Sequence, residues 1–175
     1  MNGRAAQKAE DIQLLALDVD GVLTDGSVLY GASDQDEIKS FNIKDGLGIK
    51  LLQQSGIEVA IITGRTSAAV ARRAAELNIA TLLQGREDKG VALQALLDER
   101  ALPACRVAYM GDDLPDLSAL KLAGLATCPS DAVAPVQAMA DWIAPVAGGR
   151  GAVRALSDFL LTSQGLLTAR LSEFH

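Results

Sequence analysis

Short apolar runs recur along the chain, and a polar or glycine-rich stretch follows each of them. A continuous apolar run, without alternation, is typical of a strand that helices cover on both faces of a sheet. The runs 14–17, 58–62 and 106–110 predict buried strands, and 80–83 and 124–127 predict shorter or weaker ones. The third run, 80–83, is the weakest strand prediction of the five.

The segments between these runs have apolar residues at helical spacing or are rich in alanine, which favours helices. Thr66 or Ser67 can cap the second predicted helix, and Pro115 suits the first turn of the fourth. The predicted helices are 47–55, 66–78, 91–100, 115–122, 132–140 and 152–161. Strands that alternate with helices predict an α/β fold with a doubly wound parallel sheet.

One segment breaks this alternation. Two short apolar stretches, 28–30 and 38–41, flank a run of turn-forming and acidic residues at 31–37. This pattern predicts a β-hairpin over about 27–41. Because it follows the first strand closely, the hairpin is expected to act as a flap over that strand's end.

Composition and charge limit the classes of partner. A chain of 175 residues fits one domain, which we expect to span 1–175. Sixteen basic and twenty-two acidic residues give a net charge of -6 without a basic cluster, so no nucleic-acid partner is expected. The polar start of the chain lacks the apolar core of a signal peptide, and no apolar run is long enough to suggest a membrane partner. Two cysteines without CxxC spacing favour a reduced, cytoplasmic setting.

Polar residues collect where the predicted strands end. Asp18 and Asp20 follow the first strand, and in an extended backbone both side chains would project into one crevice. Thr63 follows the second strand, Lys89 precedes a helix, and Asp112 follows the fourth strand. The carboxyl ends of parallel strands share one edge of the sheet, so these residues are expected to converge.

Carboxylates packed together repel one another unless a cation lies among them. Oxygen ligands without nearby histidine or cysteine favour Mg²⁺. Lys89 and the Thr63 hydroxyl would bind phosphate oxygens. Asp18 could then attack phosphorus to form an aspartyl phosphate, while Asp20 protonates the leaving alkoxide and later takes a proton from water.

Each of these residues also has an ordinary structural interpretation. An aspartate or threonine at a strand end is often a helix cap or a turn residue. A single lysine such as Lys89 is usually a solvated surface charge. Asp113 and Asp116 would either cap the following helix or hold metal-bound water or Lys89. The functional interpretation therefore depends on the whole set.

Four segments, in order, resemble the motifs of the haloacid dehalogenase-like phosphatases, and the match spans nearly the whole chain. They are DVDGVLTDG at 18–26, ITGR at 62–65, Lys89, and GDDLPD at 111–116. The resemblance implies that Asp18 is the nucleophile and Asp20 the acid/base. It also implies Mg²⁺ bound by the Asp18 side chain, the Asp20 carbonyl and Asp112, and phosphate bound by Thr63 and Lys89.

Within that family the chain resembles the small members without a large cap domain. FNIKDG at 41–46 and AGGRGAVR at 147–154 carry the narrower resemblance, which is to the members that hydrolyse a phosphorylated eight-carbon keto-sugar acid in lipopolysaccharide biosynthesis. A nine-carbon keto-sugar phosphate is the alternative substrate. The resemblance implies a homotetramer in which a neighbour's hairpin and C-terminal tail, about 164–175, help to close each site.

The same resemblance implies a set of substrate-binding residues. At positions 44 and 50 this chain has lysine where the family often has arginine, so a point charge replaces a bidentate group. The implied residues are Asp20, Asn42, Ile43, Lys44, Asp45, Gly46, Lys50, Arg65, Arg73 and Lys89.

Two other functional classes share part of this pattern. A receiver-type signalling domain also gathers acids, a hydroxyl and a lysine at the edge of a doubly wound sheet and accepts phosphate on aspartate. It gives no reason for Asp20 two residues after the nucleophile. A phosphatase-derived domain that only binds or scaffolds is the other alternative, and the retention of every acid argues against it.

Overall fold

The computed structural model, which describes residues 3–31 and 37–174, contains a parallel six-stranded sheet and a separate two-stranded hairpin. The sheet has the strand order β5-β4-β1-β6-β7-β8, with every neighbouring pair parallel. The strands are β1 (Leu14–Leu17), β2 (Leu29–Tyr30), β3 (Glu37–Ile38), β4 (Glu58–Ile62), β5 (Thr81–Leu83), β6 (Val107–Met110), β7 (Leu125–Cys128) and β8 (Trp142–Ile143).

Helices cover both faces of the sheet. α1, α2, α3 and α7 contribute buried residues to the core on one face, and α4, α5 and α6 contribute to the core on the other. Among the described residues, no helix is long and apolar enough to cross a membrane. The helices are α1 (Gly3–Ala9), α2 (Ile43–Gln54), α3 (Ala68–Glu76), α4 (Lys89–Arg100), α5 (Leu117–Leu122), α6 (Ala134–Met139), α7 (Ala152–Ser163) and α8 (Leu167–Ser172), with 3-10 turns at Ala104–Arg106 and Leu114–Asp116.

β1 lies inside the sheet, between β4 and β6. Leu15 and Leu17 face one core, while Leu14 and Ala16 face the other, and all four are fully buried. Because both faces of β1 are covered, apolar side chains are favoured at every position of the strand. The predicted α/β fold with a doubly wound parallel sheet is therefore confirmed.

Three elements were missed by the sequence pattern. α1 buries only Ala5 and Ala9, which lack the large apolar side chains that mark a helical face. β8 has two residues and adds an edge to the sheet beside β7. α8 has six residues and none that is fully buried, although Leu167 packs against the core.

Two helices begin earlier than predicted because a cap precedes them. The Asn42 side chain accepts a hydrogen bond from the backbone N–H two residues on, at 2.9 Å, and α2 begins at Ile43. Asp88 accepts one from the backbone N–H of Val91 at 3.1 Å, and α4 begins at Lys89. The second cap places Lys89 at the first helical position.

The predicted hairpin is present as β2 and β3, with Leu29 opposite Ile38 and Tyr30 opposite Glu37. Its predicted loop falls largely on 32–36, outside the described residues. Three of its apolar side chains are exposed: Leu29 by 49%, Tyr30 by 80% and Ile38 by 55%. The part of the chain that the structure describes contains no large cap domain.

Candidate active site

A cleft of about 470 Å³ opens at the carboxyl ends of the central strands. A larger groove, about 670 Å³, runs beside the edge strand β5 and contains none of the strand-end acids at 18, 20 and 112. The chemistry therefore belongs to the smaller cleft, whose charged lining includes Asp18, Asp20, Arg65, Lys89, Asp112 and Asp116.

Asp18 follows β1 directly and is 5% exposed. Its backbone N–H donates to the carbonyl of Met110 at 3.0 Å, which extends the pairing of β1 with β6 by one residue. The chain then turns, because the backbone N–H groups of residues 22, 23 and 24 all donate to the carbonyl of Val19. The prediction that Asp18 and Asp20 face one crevice is confirmed, although the backbone bends there instead of staying extended.

Gly21 allows this turn to approach Asp112. Its φ is +86°, and a Cβ at this position would lie 2.0 Å from Oδ2 of Asp112. The loop before α7 packs on the other side, where a Cβ on Gly148 would lie 1.7 Å from the Gly21 carbonyl oxygen. A side chain at Gly21 would displace Asp112, and one at Gly148 would displace the Gly21 backbone.

Lys89 joins two of the acids. Its Nζ lies 2.8 Å from Oδ1 of Asp18 and 2.7 Å from Oδ1 of Asp116. The hydroxyl of Tyr109 donates to the same Asp116 oxygen at 2.7 Å. The predicted role of Asp116 as a partner of Lys89 is confirmed.

The second oxygen of Asp116 is also occupied. It accepts the backbone N–H groups of Asp112 at 3.0 Å and Asp113 at 3.2 Å. Asp113 instead caps the short 3-10 turn by accepting the N–H of Leu114 at 2.7 Å. Asp116 therefore has four donors and fixes the positions of Lys89 and the Asp112 backbone.

Burial and mutual repulsion shift the ionisation of this cluster. Burial, followed by repulsion from Asp116, raises the pKa of Asp18 from 3.8 to about 7, although Lys89 opposes the rise. Burial, followed by repulsion from Asp18 and Asp116, raises the pKa of Asp112 to about 7. Burial by itself would lower the pKa of Lys89, but attraction to Asp18 and Asp116 outweighs burial and raises it. Lys89 is therefore a cation at neutral pH.

The acids fit a divalent cation. One oxygen from each of Asp18, Asp112 and Asp116 lies within 4.8 Å of the other two. Asp112 Oδ1 is buried and has no hydrogen-bond partner, whereas the oxygens of Asp116 are occupied by donors. Asp18 and Asp112 are therefore the side chains that can bind the metal, and their oxygen ligands suit Mg²⁺. The predicted carbonyl ligand from Asp20 stays a prediction.

Thr63 follows β4 at the same edge of the sheet and is 2% exposed. Its backbone is fixed on both sides: the N–H donates to the carbonyl of Leu83 and the carbonyl accepts the N–H of Arg86, each at 2.9 Å. Its phosphate-binding role stays a prediction.

Asp20 lies in the cleft and contacts two cations. Its Oδ1 accepts a hydrogen bond from Nζ of Lys39, and its Oδ2 lies 3.9 Å from Nε of Arg65. Arg65 was among the predicted substrate residues, and the structure brings it to the cleft.

Apart from Asp20, Arg65 and Lys89, the predicted substrate residues do not line this cleft. Asn42 caps α2, and its Nδ2 donates to the carbonyl of Gly149 at 3.3 Å. Ile43 is 82% exposed, and Lys44 and Lys50 also point to solvent. Their substrate-binding roles stay predictions.

Asp45, Gly46 and Arg73 lie inside the packing of α2. Asp45 is 1% exposed and accepts the backbone N–H of Arg154 at 2.7 Å, so it caps the start of α7. Burial raises the pKa of Asp45, although backbone hydrogen bonds oppose the rise. Arg73 donates to the carbonyl of Asn42 at 3.3 Å, and a Cβ on Gly46 would lie 2.4 Å from its guanidinium. These contacts join α2 to α3 and α7, and the substrate-binding roles of the three residues stay predictions.

Sequence reasoning missed Tyr109 and Lys39. Tyr109 is one residue of an apolar strand, and only the reach of its hydroxyl to Asp116 distinguishes it. Lys39 belongs to a hairpin, where the side chain of a lysine is normally exposed to solvent. Neither residue could be identified as part of the site from a single sequence.

Three comparisons with known proteins indicate the same family of hydrolases. A family model for haloacid dehalogenase-like hydrolases matches residues 78–156. The 3-deoxy-D-manno-octulosonate 8-phosphate phosphatase KdsC of Escherichia coli K12 is 47% identical over 160 residues, which cover 91% of this chain and 85% of that protein. The KdsC protein of Haemophilus influenzae is 41% identical, with 91% and 88% covered.

A solved structure extends the likeness to the whole chain. The 3-deoxy-D-manno-octulosonate 8-phosphate phosphatase of Moraxella catarrhalis, in complex with magnesium ion, phosphate ion and KDO, superposes with a TM-score of 0.96. It is 43% identical, and the match covers 100% of this chain and 99% of that one. The likeness therefore includes the loops around the cleft.

Proposed function

This chain belongs to the haloacid dehalogenase-like hydrolases, and we propose that it hydrolyses 3-deoxy-D-manno-octulosonate 8-phosphate to the free keto-sugar acid (KDO) and phosphate. The observation that carries the proposal is the buried Asp18, held by Lys89 beside the unpartnered oxygen of Asp112. The 47% identity to a phosphatase of that name, over 91% of this chain, supports the choice of substrate. The reaction belongs to lipopolysaccharide biosynthesis.

Asp18 is the proposed nucleophile. Lys89 lies 2.8 Å from its Oδ1 and orients the carboxylate, which attacks phosphorus in line with the ester bond. Lys89 and Thr63 neutralise and orient the phosphate oxygens. Mg²⁺, held by Asp18 and Asp112, supplies positive charge against the phosphate and keeps both carboxylates ionised.

Asp20 is the proposed acid/base. It gives its proton to the alkoxide that leaves when the aspartyl phosphate forms on Asp18. It then takes a proton from the water that attacks phosphorus, and Asp18 is released as a carboxylate. A carboxyl that acts in both steps explains why a second acid follows the nucleophile at the cleft.

The test is a comparison of kcat/KM for eight-carbon and nine-carbon keto-sugar acid phosphates, with simple sugar phosphates as controls. We expect Mg²⁺-dependent phosphate release with the eight-carbon ester preferred, and no release by Asp18→Asn. A preference for the nine-carbon ester would support the alternative substrate. A flat profile would indicate a general phosphatase and would contradict the proposal.

We also propose a homotetramer, because the hairpin exposes Leu29, Tyr30 and Ile38 together. Contact between hairpins would bury these side chains and bring residues 42–46 of one subunit toward a neighbour's site. Light scattering tests this directly: a monomer with full activity would contradict it.

A cytoplasmic location is also proposed, in keeping with two free thiols, Cys105 and Cys128.

The receiver-like alternative is not favoured. A receiver domain keeps its phosphate on aspartate, and it has no use for an acid/base at Asp20 facing the same cleft. Rapid turnover of phosphate by the wild-type protein would distinguish the two classes.

A further inference from the structure

Lys39, which directly follows β3 of the hairpin, is a buried lysine in contact with the proposed acid/base. Its side chain is 1% exposed, and its Nζ donates a hydrogen bond to Oδ1 of Asp20. A buried ammonium is costly unless it is paired with an anion. Lys39 has two such partners, because Nζ also lies 3.3 Å from Oε1 of Glu37.

Glu37 and Arg65 complete a ring of alternating charges around Lys39 and Asp20. Oε1 of Glu37 accepts a hydrogen bond from Nη2 of Arg65 at 2.8 Å, and Nε of Arg65 lies 3.9 Å from Oδ2 of Asp20. Arg65 has a side chain that is 51% exposed, so it is free to move toward a ligand. The Lys39 side chain is 1% exposed and is not free to move in this way.

The two oxygens of Asp20 therefore differ. Within residues 3–31 and 37–174, Lys39 is the hydrogen-bond partner of Oδ1, whereas Oδ2 has only the longer contact to Arg65. A carboxylate fixed through one oxygen keeps the other in a constant direction. The fixed direction matters most for a group that must transfer a proton to an oxygen at a defined place.

We propose that Lys39 is a positioning residue, which fixes Asp20 through Oδ1 so that Oδ2 faces first the leaving oxygen and then the attacking water. Glu37 holds Lys39 in place. Because its side chain is 1% exposed, Lys39 acts through Asp20 and does not contact the substrate. The inference rests on the proposed function, since it assigns Asp20 the acid/base role.

The two steps respond differently to a misplaced Asp20. In the first step an oxygen of Asp18 bonds to phosphorus, the ester P–O bond breaks, and the Asp20 proton passes to the alkoxide. With 4-nitrophenyl phosphate the phenolate leaves without that proton, so the first step survives. In the second step water loses a proton to Asp20 with either substrate, so hydrolysis of the aspartyl phosphate stays slow.

The variants are Lys39→Met, which keeps the length and removes the charge, and Lys39→Arg, which keeps the charge. Lys8→Met is the matched control, because Lys8 forms a part-buried ion pair with Asp141, 2.6 Å long, at the amino end of β7. Steady-state kinetics use the keto-sugar acid phosphate. Rapid mixing with 4-nitrophenyl phosphate measures the burst.

For Lys39→Met we expect kcat to fall by about tenfold to a hundredfold, as for a misplaced catalytic group, while KM changes by less than about threefold. With 4-nitrophenyl phosphate it should release a burst approaching one nitrophenolate per site, followed by slow turnover. Lys39→Arg should recover most of kcat, and Lys8→Met should retain all of it. If Lys39→Met does not fold, Glu37→Gln should show a smaller defect of the same kind.

A rise in KM without a fall in kcat would overturn the proposal, because Lys39 would then bind substrate. Equal losses on both substrates without a burst would also overturn it, because the defect would then be structural. If the wild type prefers another alkyl phosphate, the proposed substrate is wrong, and the same variants are compared on the preferred ester. A failure of the proposed substrate can therefore be distinguished from a failure of the proposed role of Lys39.

Discussion

Asp18→Asn should abolish catalysis and, without Mg²⁺, stabilise the fold. Asparagine has the shape of a protonated aspartate but cannot ionise and cannot attack phosphorus. The pKa of Asp18 is about 7 in the folded protein against an ordinary 3.8, so the folded state disfavours the ionised carboxylate. Removing that charge therefore removes a cost of folding.

The size and pH dependence of the gain follow from the two pKa values. A raised folded-state pKa destabilises the protein only where the unfolded carboxyl is ionised, so the cost begins near pH 3.8 and is complete above about pH 7. At about 1.4 kcal/mol per pKa unit, the cost at pH 8 reaches at most about 4 kcal/mol. Lys89 still has Asp116 as a partner in the variant, so the gain is not offset by an unpaired lysine.

The assay is thermal and urea unfolding in EDTA between pH 4.5 and 8. We expect Asp18→Asn to raise the unfolding free energy by about 2–4 kcal/mol at pH 8, or roughly 5–15 °C in Tm, and by much less at pH 4.5. Mg²⁺ should stabilise the wild type strongly and the variant weakly. Asp98→Asn, an exposed change on α4, controls for the loss of one acid from a chain of net charge -6.

A variant that is less stable than the wild type at pH 8 in EDTA would refute the electrostatic reasoning. An equal gain at both pH values would also refute it, because the gain would then not depend on ionisation. Phosphate release by Asp18→Asn would refute the assignment of the nucleophile.

Two further predictions concern the contacts around Asp112 and Asp116. Gly21→Ala should weaken Mg²⁺ binding by more than about tenfold in calorimetry, because its Cβ would lie 2.0 Å from Asp112 Oδ2. Gly56→Ala, which has a similar φ of +83° and no atom within 4 Å, controls for backbone strain, and an equal effect of both changes would contradict the steric argument. Tyr109→Phe should lower the unfolding free energy in urea by about 1–3 kcal/mol, because Asp116 loses one of its donors, and a neutral result would mean that the hydroxyl contributes nothing.

The sheet and the acids of the cleft could be predicted from the sequence because both depend on local patterns. Leu14–Leu17 is apolar throughout because both faces of β1 are buried, and this alone distinguishes a central strand from an edge hairpin. Parallel strands carry their following residues to one edge, which is why Asp18 and Asp112 meet despite their separation in the chain.

The substrate residues 42–46 illustrate the opposite case. Their resemblance to a family motif predicted substrate contacts, but in this chain Asn42 caps α2 and Asp45 caps α7. Their contact with substrate stays a prediction, because a local pattern does not show which surfaces complete the site. Local patterns also missed α1 and α8, because both helices are short and depend on packing against the rest of the molecule.

The sequence by itself determined the α/β fold and was enough to predict the nucleophile, since an apolar strand followed by paired acids is a local signal. Only the tertiary structure decided which charge contacts which: Asp116 holds Lys89 with the help of Tyr109, and Lys39 holds Asp20. The physical reason is burial. The energies of these ion pairs, and the pKa values of about 7 at Asp18 and Asp112, depend on how completely distant segments exclude water from the cleft.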